Sequence, residues 1–217
     1  MNTGVICLFY IVTNKFKSWI ISENRFKVVQ MELKYPLTYY VYRRFSVPIA
    51  KLLIPTGISP STITLISTFI GFLAAYMIAT GEAIYGVVLL FISQILDCAD
   101  GDLARLSGRV TKKGAYLDRV LDRFVDGALI IALIALNPAY WFVGTLAIAG
   151  TFLVSVTRIM AEAVGAECQV GIATRDFRIL AIVVGVLLGQ IYYLLVFLSA
   201  LGFITVFHRM MYSMKQM

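Results

Sequence analysis

Six of the chain's 12 acidic residues fall between positions 97 and 126: Asp97, Asp100, Asp102, Asp118, Asp122 and Asp126. On helices, Asp97 and Asp100 (i, i+3) share one face, as do Asp118, Asp122 and Asp126 (i, i+4, i+8). Two antiparallel helices so patterned aim four or five carboxylates at one cavity. Carboxylates this close stay ionised together only around positive charge. Ligation by oxygen alone, with no histidine or cysteine on those faces, selects a hard divalent ion. The pattern implies Mg²⁺ or Mn²⁺, as two ions bridged by shared carboxylates. Cys98 lies between two of these acids but points elsewhere on the helix, and Asp102 is expected to turn away from them toward solvent or a lysine. The one histidine, His208, is far along the chain and reads as an interfacial residue.

The elements that must position these acids are apolar. The 217 residues are 60% hydrophobic and 14% charged, with mean hydropathy +0.85, whereas soluble domains carry about 25% charged residues. That composition excludes a water-soluble globule and a disordered chain, and points to an all-α integral membrane protein. Apolar stretches near 61–80, 84–106, 114–136, 139–164, 175–189 and 191–208 give six transmembrane helices, separated by turn-formers and polar residues. Acids at membrane depth mark function by default.

The basic residues set the orientation. Eight of the 19 Lys and Arg precede the first span, six surround the second connection, three flank the fourth and two follow the last span, leaving the other three connections without any. By the positive-inside rule, both termini and the aspartate-bearing ends face the cytoplasm of a multi-pass cell-membrane protein. The net charge of +7 then answers anionic lipid, and no basic domain stands apart to bind nucleic acid. Cys7, Cys98 and Cys168 have no CxxC spacing, so neither a disulfide framework nor a zinc site follows.

Residues 1–58 form a separate N-terminal segment, and 59–210 the membrane domain. The apolar run Gly4 to Val12 is too short to span and has its charge after it, which argues for an interfacial peptide over a signal sequence. Residues 33–54 mix tyrosines, Phe45 and Leu52-Leu53-Ile54 with Lys34, Arg43, Arg44 and Lys51, the composition of an amphipathic helix in the headgroup plane. Pro36 and Pro48 limit its length.

Written out, the acidic segment is Asp97-Cys-Ala-Asp100-Gly101-Asp-Leu-Ala104-Arg105, eight residues, then Gly114-Ala-Tyr-Leu-Asp118-Arg-Val-Leu-Asp122. It resembles the signature of the CDP-alcohol phosphatidyltransferase family, D-x2-D-G-x2-A-R-x8-G-x3-D-x3-D, at all eight fixed positions. The resemblance extends more loosely over residues 33–210. It implies metal-dependent transfer of a phosphoalcohol from a CDP-alcohol to an acceptor hydroxyl, with release of CMP. It implies Asp97, Asp100 and Asp118 as metal ligands, and Asp122 as the proton-accepting base and a further ligand. Gly101, Ala104, Arg105, Thr111, Gly114 and Thr64 would contact the CDP moiety. Family members often have Pro-Asn-x-x-Thr at the first span; here the run is Pro60-Ser61-Thr62-Ile63-Thr64, so Ser61 replaces the amide while Thr64 keeps its place.

Arg119, Arg123, Arg158, Arg175 and Arg178, together with Lys112 and Lys113, should ring the cytosolic mouth, more positive charge than a CDP group needs, and Arg119, Arg158, Arg175 and Arg178 are the candidates for binding an acceptor phosphate. They suit a phosphorylated polyol acceptor such as inositol phosphate or glycerol phosphate, or else set topology and pair with Glu162, Glu167 and Asp176. The stretches Thr174 to Arg178 and Tyr42 to Ile49 resemble the archaeal inositol-phosphate-transferring branch. CDP-diacylglycerol, CDP-archaeol and CDP-inositol all stay open as donors. A homodimer is implied by the family resemblance alone, and Gly144, Ala147 and Gly150-Thr151 permit close packing within one chain as readily as between two. The alternative of another class is a membrane cation-binding or transport protein that uses the same carboxylates.

Overall fold

The computed structural model describes residues 41–217 except 167, 169 and 172. The interfacial peptide expected at Gly4 to Val12, and the start of the segment 33–54, lie outside the described residues. Every regular element among those described is helical. They are α1 (Arg43–Leu53), α2 (Pro60–Ala79), α3 (Ala83–Leu106), α4 (Lys112–Ala135), α5 (Trp141–Ala163), α6 (Arg175–Leu187) and α7 (Ile191–Met214), with short 3-10 turns at Ile54–Thr56 and Pro138–Tyr140.

The helix starts are written in the sequence. Ser59 caps α2, accepting from the Thr62 N–H at 3.2 Å, with Pro60 following at the first helical position. Thr111 caps α4 through the Gly114 N–H at 3.0 Å, and Thr174 caps α6 through the Phe177 N–H at 3.4 Å. Gly108, at φ +68°, turns the chain between α3 and α4 in a conformation that side-chain-bearing residues avoid.

Four helical segments are long and apolar enough to cross a membrane: Pro60–Ala79, Ala83–Leu106, Pro138–Ala163 and Ile191–Met214. Of the six expected spans, the other two differ for physical reasons. Helix α4 has 24 residues, but the acids and bases of its first half dilute its hydropathy. Helix α6 has 13 residues and extends about 20 Å at 1.5 Å per residue. The last helix runs on past 208 to Met214.

Helix α2 packs along α3 and α4, α5 along α7, and α6 joins the two groups through α3 and α7. Leu90, Leu129, Leu133, Ala147, Leu195 and Leu198 fill the shared core. The outer faces are apolar too: Phe69, Tyr76, Ile84, Val88, Ile131, Phe142, Ile204 and Phe207 are exposed, as suits a bundle whose solvent is lipid. The small-residue stripe of α5 is used inside the chain. Gly144 accepts Ile134 of α4, and Gly150 lies against the Gly202 backbone of α7. A Cβ on Gly202 would sit 2.9 Å from the Gly150 backbone, so Gly202→Ala is expected to cost about 1–3 kcal/mol by forcing the helices apart. Thermal unfolding in detergent checks this; an unchanged midpoint contradicts the close crossing.

Helix α1 lies against α3. Tyr42, just before it, stacks on Phe91 with ring centroids 5.7 Å apart. Burial, with Asp176 nearby, pushes the Tyr42 phenol up to about 12, so it stays protonated. Pro48 sits inside α1, whose 11 residues continue through it. At the far end of the chain, Arg209 is buried on α7 and donates to the carbonyls of Val170 (2.7 Å) and Val154. Thr205 accepts from the Ala173 N–H at 3.2 Å. These bonds hold the segment before α6 against α7, although Arg209 lies past the expected end of the last span at 208.

Candidate active site

The α2–α3 and α4–α5 connections turn at one end of the bundle. The starts of α2, α4 and α6 and the ends of α3, α5 and α7 therefore gather at the other. Asp97 and Asp100 stand in the last turns of α3, and Asp118 and Asp122 in the first turns of α4. Carboxylate oxygens of Asp97, Asp100 and Asp118 all lie within 4.8 Å of one another. Asp100 is 6% exposed, and its Oδ2 is buried without a hydrogen-bond partner. The Thr64 hydroxyl of α2 adjoins the same carboxyl group.

Three converging carboxylates, one of them with an orphaned buried oxygen, and no nitrogen or sulfur ligand in the group fit a hard divalent cation. Asp122 is brought to the cluster through Arg175, whose Nη1 lies 2.7 Å from Asp97 Oδ2 and 2.8 Å from Asp122 Oδ1. Its Nε lies 3.5 Å from Asp126 Oδ1.

One turn deeper, Asp126 is buried and takes a 2.6 Å hydrogen bond from Arg178 Nη2. Arg178 Nη1 donates to the Ala173 carbonyl at 2.9 Å, and its side chain is 5% exposed. Arg178 therefore does not ring the mouth; it is spent on joining α6 to α4. Arg123, expected among the arginines at the mouth, instead lies 3.6 Å from Asp126 and 3.7 Å from Asp122, and donates to Ser155 of α5. Arg158 pairs with Glu162 at 2.8 Å, one turn along α5, and both are partly exposed. Arg119 is exposed near the start of α4.

Asp102 departs most from expectation. Instead of meeting solvent it is 3% exposed, and it accepts from Ser46 Oγ of α1 at 2.5 Å and from Arg105 Nη2 at 2.8 Å. Arg43 Nη2 is 3.5 Å from the same carboxylate. Arg105 keeps 60% of its side chain exposed. A Cβ added to Gly101 would lie 3.4 Å from the Arg105 guanidinium, so that guanidinium covers the Gly101 backbone. Gly114 faces the Thr111 and Ser61 hydroxyls, at 3.0 and 3.7 Å from its would-be Cβ. Thr111 serves as the α4 cap, and Ala104 is half-buried on α3.

A helical bundle with a carboxylate triad at the junction of its third and fourth helices defines the class, and the chain belongs to the CDP-alcohol phosphatidyltransferase family, which it matches over residues 55–211. It is thus a transferase with helices long and apolar enough to cross a membrane, whose carboxylate cluster could hold a divalent metal ion.

Among its relatives, archaetidylinositol phosphate synthase of Methanothermobacter thermautotrophicus is 36% identical over 183 residues, 82% of this chain and 92% of that one. The synthase of the same name from Pyrococcus horikoshii is 31% identical, over 78% and 90% of the two chains. The fold is that of Mycobacterium tuberculosis phosphatidylinositol phosphate synthase with CDP-DAG bound, at TM-score 0.73 and 22% identity over 78% of this chain and 94% of that one. The same enzyme in complex with manganese and citrate superposes with TM-score 0.72 at 23% identity, over 77% and 88%. Family membership replaces the cation-transport alternative.

Proposed function

We propose that this chain transfers the lipid phosphoryl group of a CDP-activated membrane lipid to a hydroxyl of inositol phosphate, releasing CMP. The convergence of Asp97, Asp100 and Asp118 beside Asp122 carries the chemistry. The likeness to archaetidylinositol phosphate synthases supports the acceptor. An apolar groove of about 350 Å³ between α6 and α7 supports a lipid donor over soluble CDP-inositol. It begins at Phe177, two residues from Arg175, and continues past Leu180, Val184 and Tyr193. CDP-archaeol and CDP-diacylglycerol both have chains that suit it.

Asp97, Asp100 and Asp118, with Asp122 at the edge of the group, would hold the divalent ions. When bound, these supply charge neutralisation for the diphosphate and the departing CMP. Asp122 accepts the proton of the acceptor hydroxyl as its oxygen bonds to the β-phosphorus. The bond from that phosphorus to the CMP oxygen breaks, and CMP leaves with the electron pair. Arg105, whose guanidinium lies against Gly101, receives the donor's diphosphate, with Thr64 and Gly114 beside the nucleotide. Ala104 leaves room there, and Thr111 fixes the start of α4.

For the acceptor phosphate, Arg119 and Arg158 have exposure, while Arg175 bridges toward the base; Arg178 serves the site from behind. Arg158→Ala is expected to raise the acceptor KM about tenfold, the loss of one charge-assisted hydrogen bond, with the donor KM unchanged. Steady-state CMP release with inositol phosphate varied decides it, and an unchanged acceptor KM removes Arg158 from the acceptor site.

For topology, all six helices α2–α7 cross the bilayer, with the site and both termini cytoplasmic. The connections at 80–82, 136–140 and 188–190 carry no lysine or arginine, whereas the opposite end holds Arg109, Lys112, Lys113 and Arg175. Helix α1, which exposes Arg44, Lys51 and Leu52, lies in the headgroup plane, and residues 1–58 precede a membrane domain over 59–210. A homodimer would use a face other than the Gly144–Gly150 stripe, which is filled from within. CMP release with CDP-archaeol or CDP-diacylglycerol against inositol phosphate, glycerol phosphate and unphosphorylated inositol tests the assignment. Turnover should require a lipid donor and inositol phosphate; turnover with CDP-inositol would overturn it.

A further inference from the structure

We propose that Asp102, which lies outside the fixed positions of the motif, is a positioning residue: it aims the Arg105 guanidinium at the donor's diphosphate. The inference rests on the reading that Arg105 faces the donor.

An arginine with 60% of its side chain exposed ordinarily samples many rotamers, and a phosphate that binds it must freeze them. Arg105 is restrained beforehand. Its Nη2 is bonded at 2.8 Å to a carboxylate that is 3% exposed. One arm of the fork is thereby fixed while the remaining N–H donors stay available. The fixed guanidinium lies over Gly101, the immediate neighbour of Asp100, and its ion pair is with Asp102, not with the carboxylates of the triad.

Asp102 is held in its turn. Ser46 Oγ donates to its second oxygen at 2.5 Å from α1, with Arg43 of the same helix 3.5 Å from the first. Two residues along α3 from Asp100, Asp102 points away from the triad and toward α1. A charge there that served only the triad would be misplaced, whereas one that orients Arg105 and seats α1 is where both partners can reach it.

The test compares donor and acceptor KM and thermal unfolding of the full chain in detergent. Arg105→Gln should raise the donor KM about tenfold or more, as for a lost hydrogen bond to a charged group, with the acceptor KM unchanged. Asp102→Asn should raise the donor KM by a similar factor, and the double variant should be no worse than Arg105→Gln alone. Ser46→Ala should lower the unfolding temperature by loosening α1 while leaving the donor KM within about twofold, because the Asp102–Arg105 bond survives.

A donor KM raised by Arg105→Gln but not by Asp102→Asn, or additive effects of the two, would overturn the inference. An unchanged donor KM in Arg105→Gln would instead overturn the placement of the donor. If Asp102→Asn does not accumulate as folded protein, Asp102→Glu takes its place under the same criterion. It keeps the charge but displaces it by a methylene, so an unchanged donor KM in that variant is equally decisive against the proposal.

Discussion

Asp122→Asn should lower kcat by about 10²–10⁴-fold, the range lost with a positioned general base, while the protein remains folded. The substitution is isosteric, and the Asp122 side chain is only 16% exposed, with Oδ1 2.8 Å from Arg175 and Oδ2 3.7 Å from Arg123. An amide still accepts one of these hydrogen bonds but cannot take the hydroxyl proton. Asp97, Asp100 and Asp118 are untouched, so Mn²⁺ binding followed by electron paramagnetic resonance should change by less than the activity does. A kcat within tenfold of the parent would remove Asp122 as the base. A loss of metal binding in parallel with the activity would leave it a ligand and not the base.

The second large effect is structural. Arg178→Met should destabilise the protein by about 3 kcal/mol, the low end of what a broken buried ion pair costs, because Arg123 and Arg175 still approach Asp126 at 3.6 and 3.5 Å. That corresponds to a fall in the unfolding temperature on the order of 10 °C. The Arg178 guanidinium joins α6 to α4 through Asp126 at 2.6 Å and closes the α6 start through the Ala173 carbonyl. Adding Asp126→Leu should recover much of the loss, since the stranded acid is then gone. Thermal unfolding of the single and double variants decides this. A single variant as stable as the parent would mean that the pair does not hold α6.

Much of the site was legible because its information is local. The spacing of Asp97 and Asp100 puts both on one face of α3 and allows them to meet Asp118 of the next helix, as their oxygens do within 4.8 Å. Helix limits followed from the apolar runs to within a few residues, while the caps Ser59, Thr111 and Thr174 emerged only from the structure. The end of α7 was the exception: the apolar run stops at 208, whereas the helix continues to Met214 with Arg209 buried on it.

Illegible were the partners of the charges. Arg175 finds Asp97 across 78 positions of sequence, and Arg178 finds Asp126 across 52. No periodicity marks which arginines are consumed in the interior and which face a ligand. Asp102 was misread because a helical wheel shows only that it leaves the Asp97–Asp100 face. It does not show that Ser46 of a separate helix waits on the other side.

The central claim is tested most directly by one stoichiometric experiment. Purified protein in lipid–detergent micelles receives CDP-archaeol and inositol phosphate, first with chelator and then with excess Mn²⁺ or Mg²⁺, and both CMP and the lipid product are quantified. The account predicts no turnover under chelator, then one CMP released per phosphodiester lipid formed once the ion is restored, with CDP-diacylglycerol in parallel to rank the two donors. CMP release that is indifferent to the chelator, or CMP without a matching lipid phosphodiester from either donor, would contradict it.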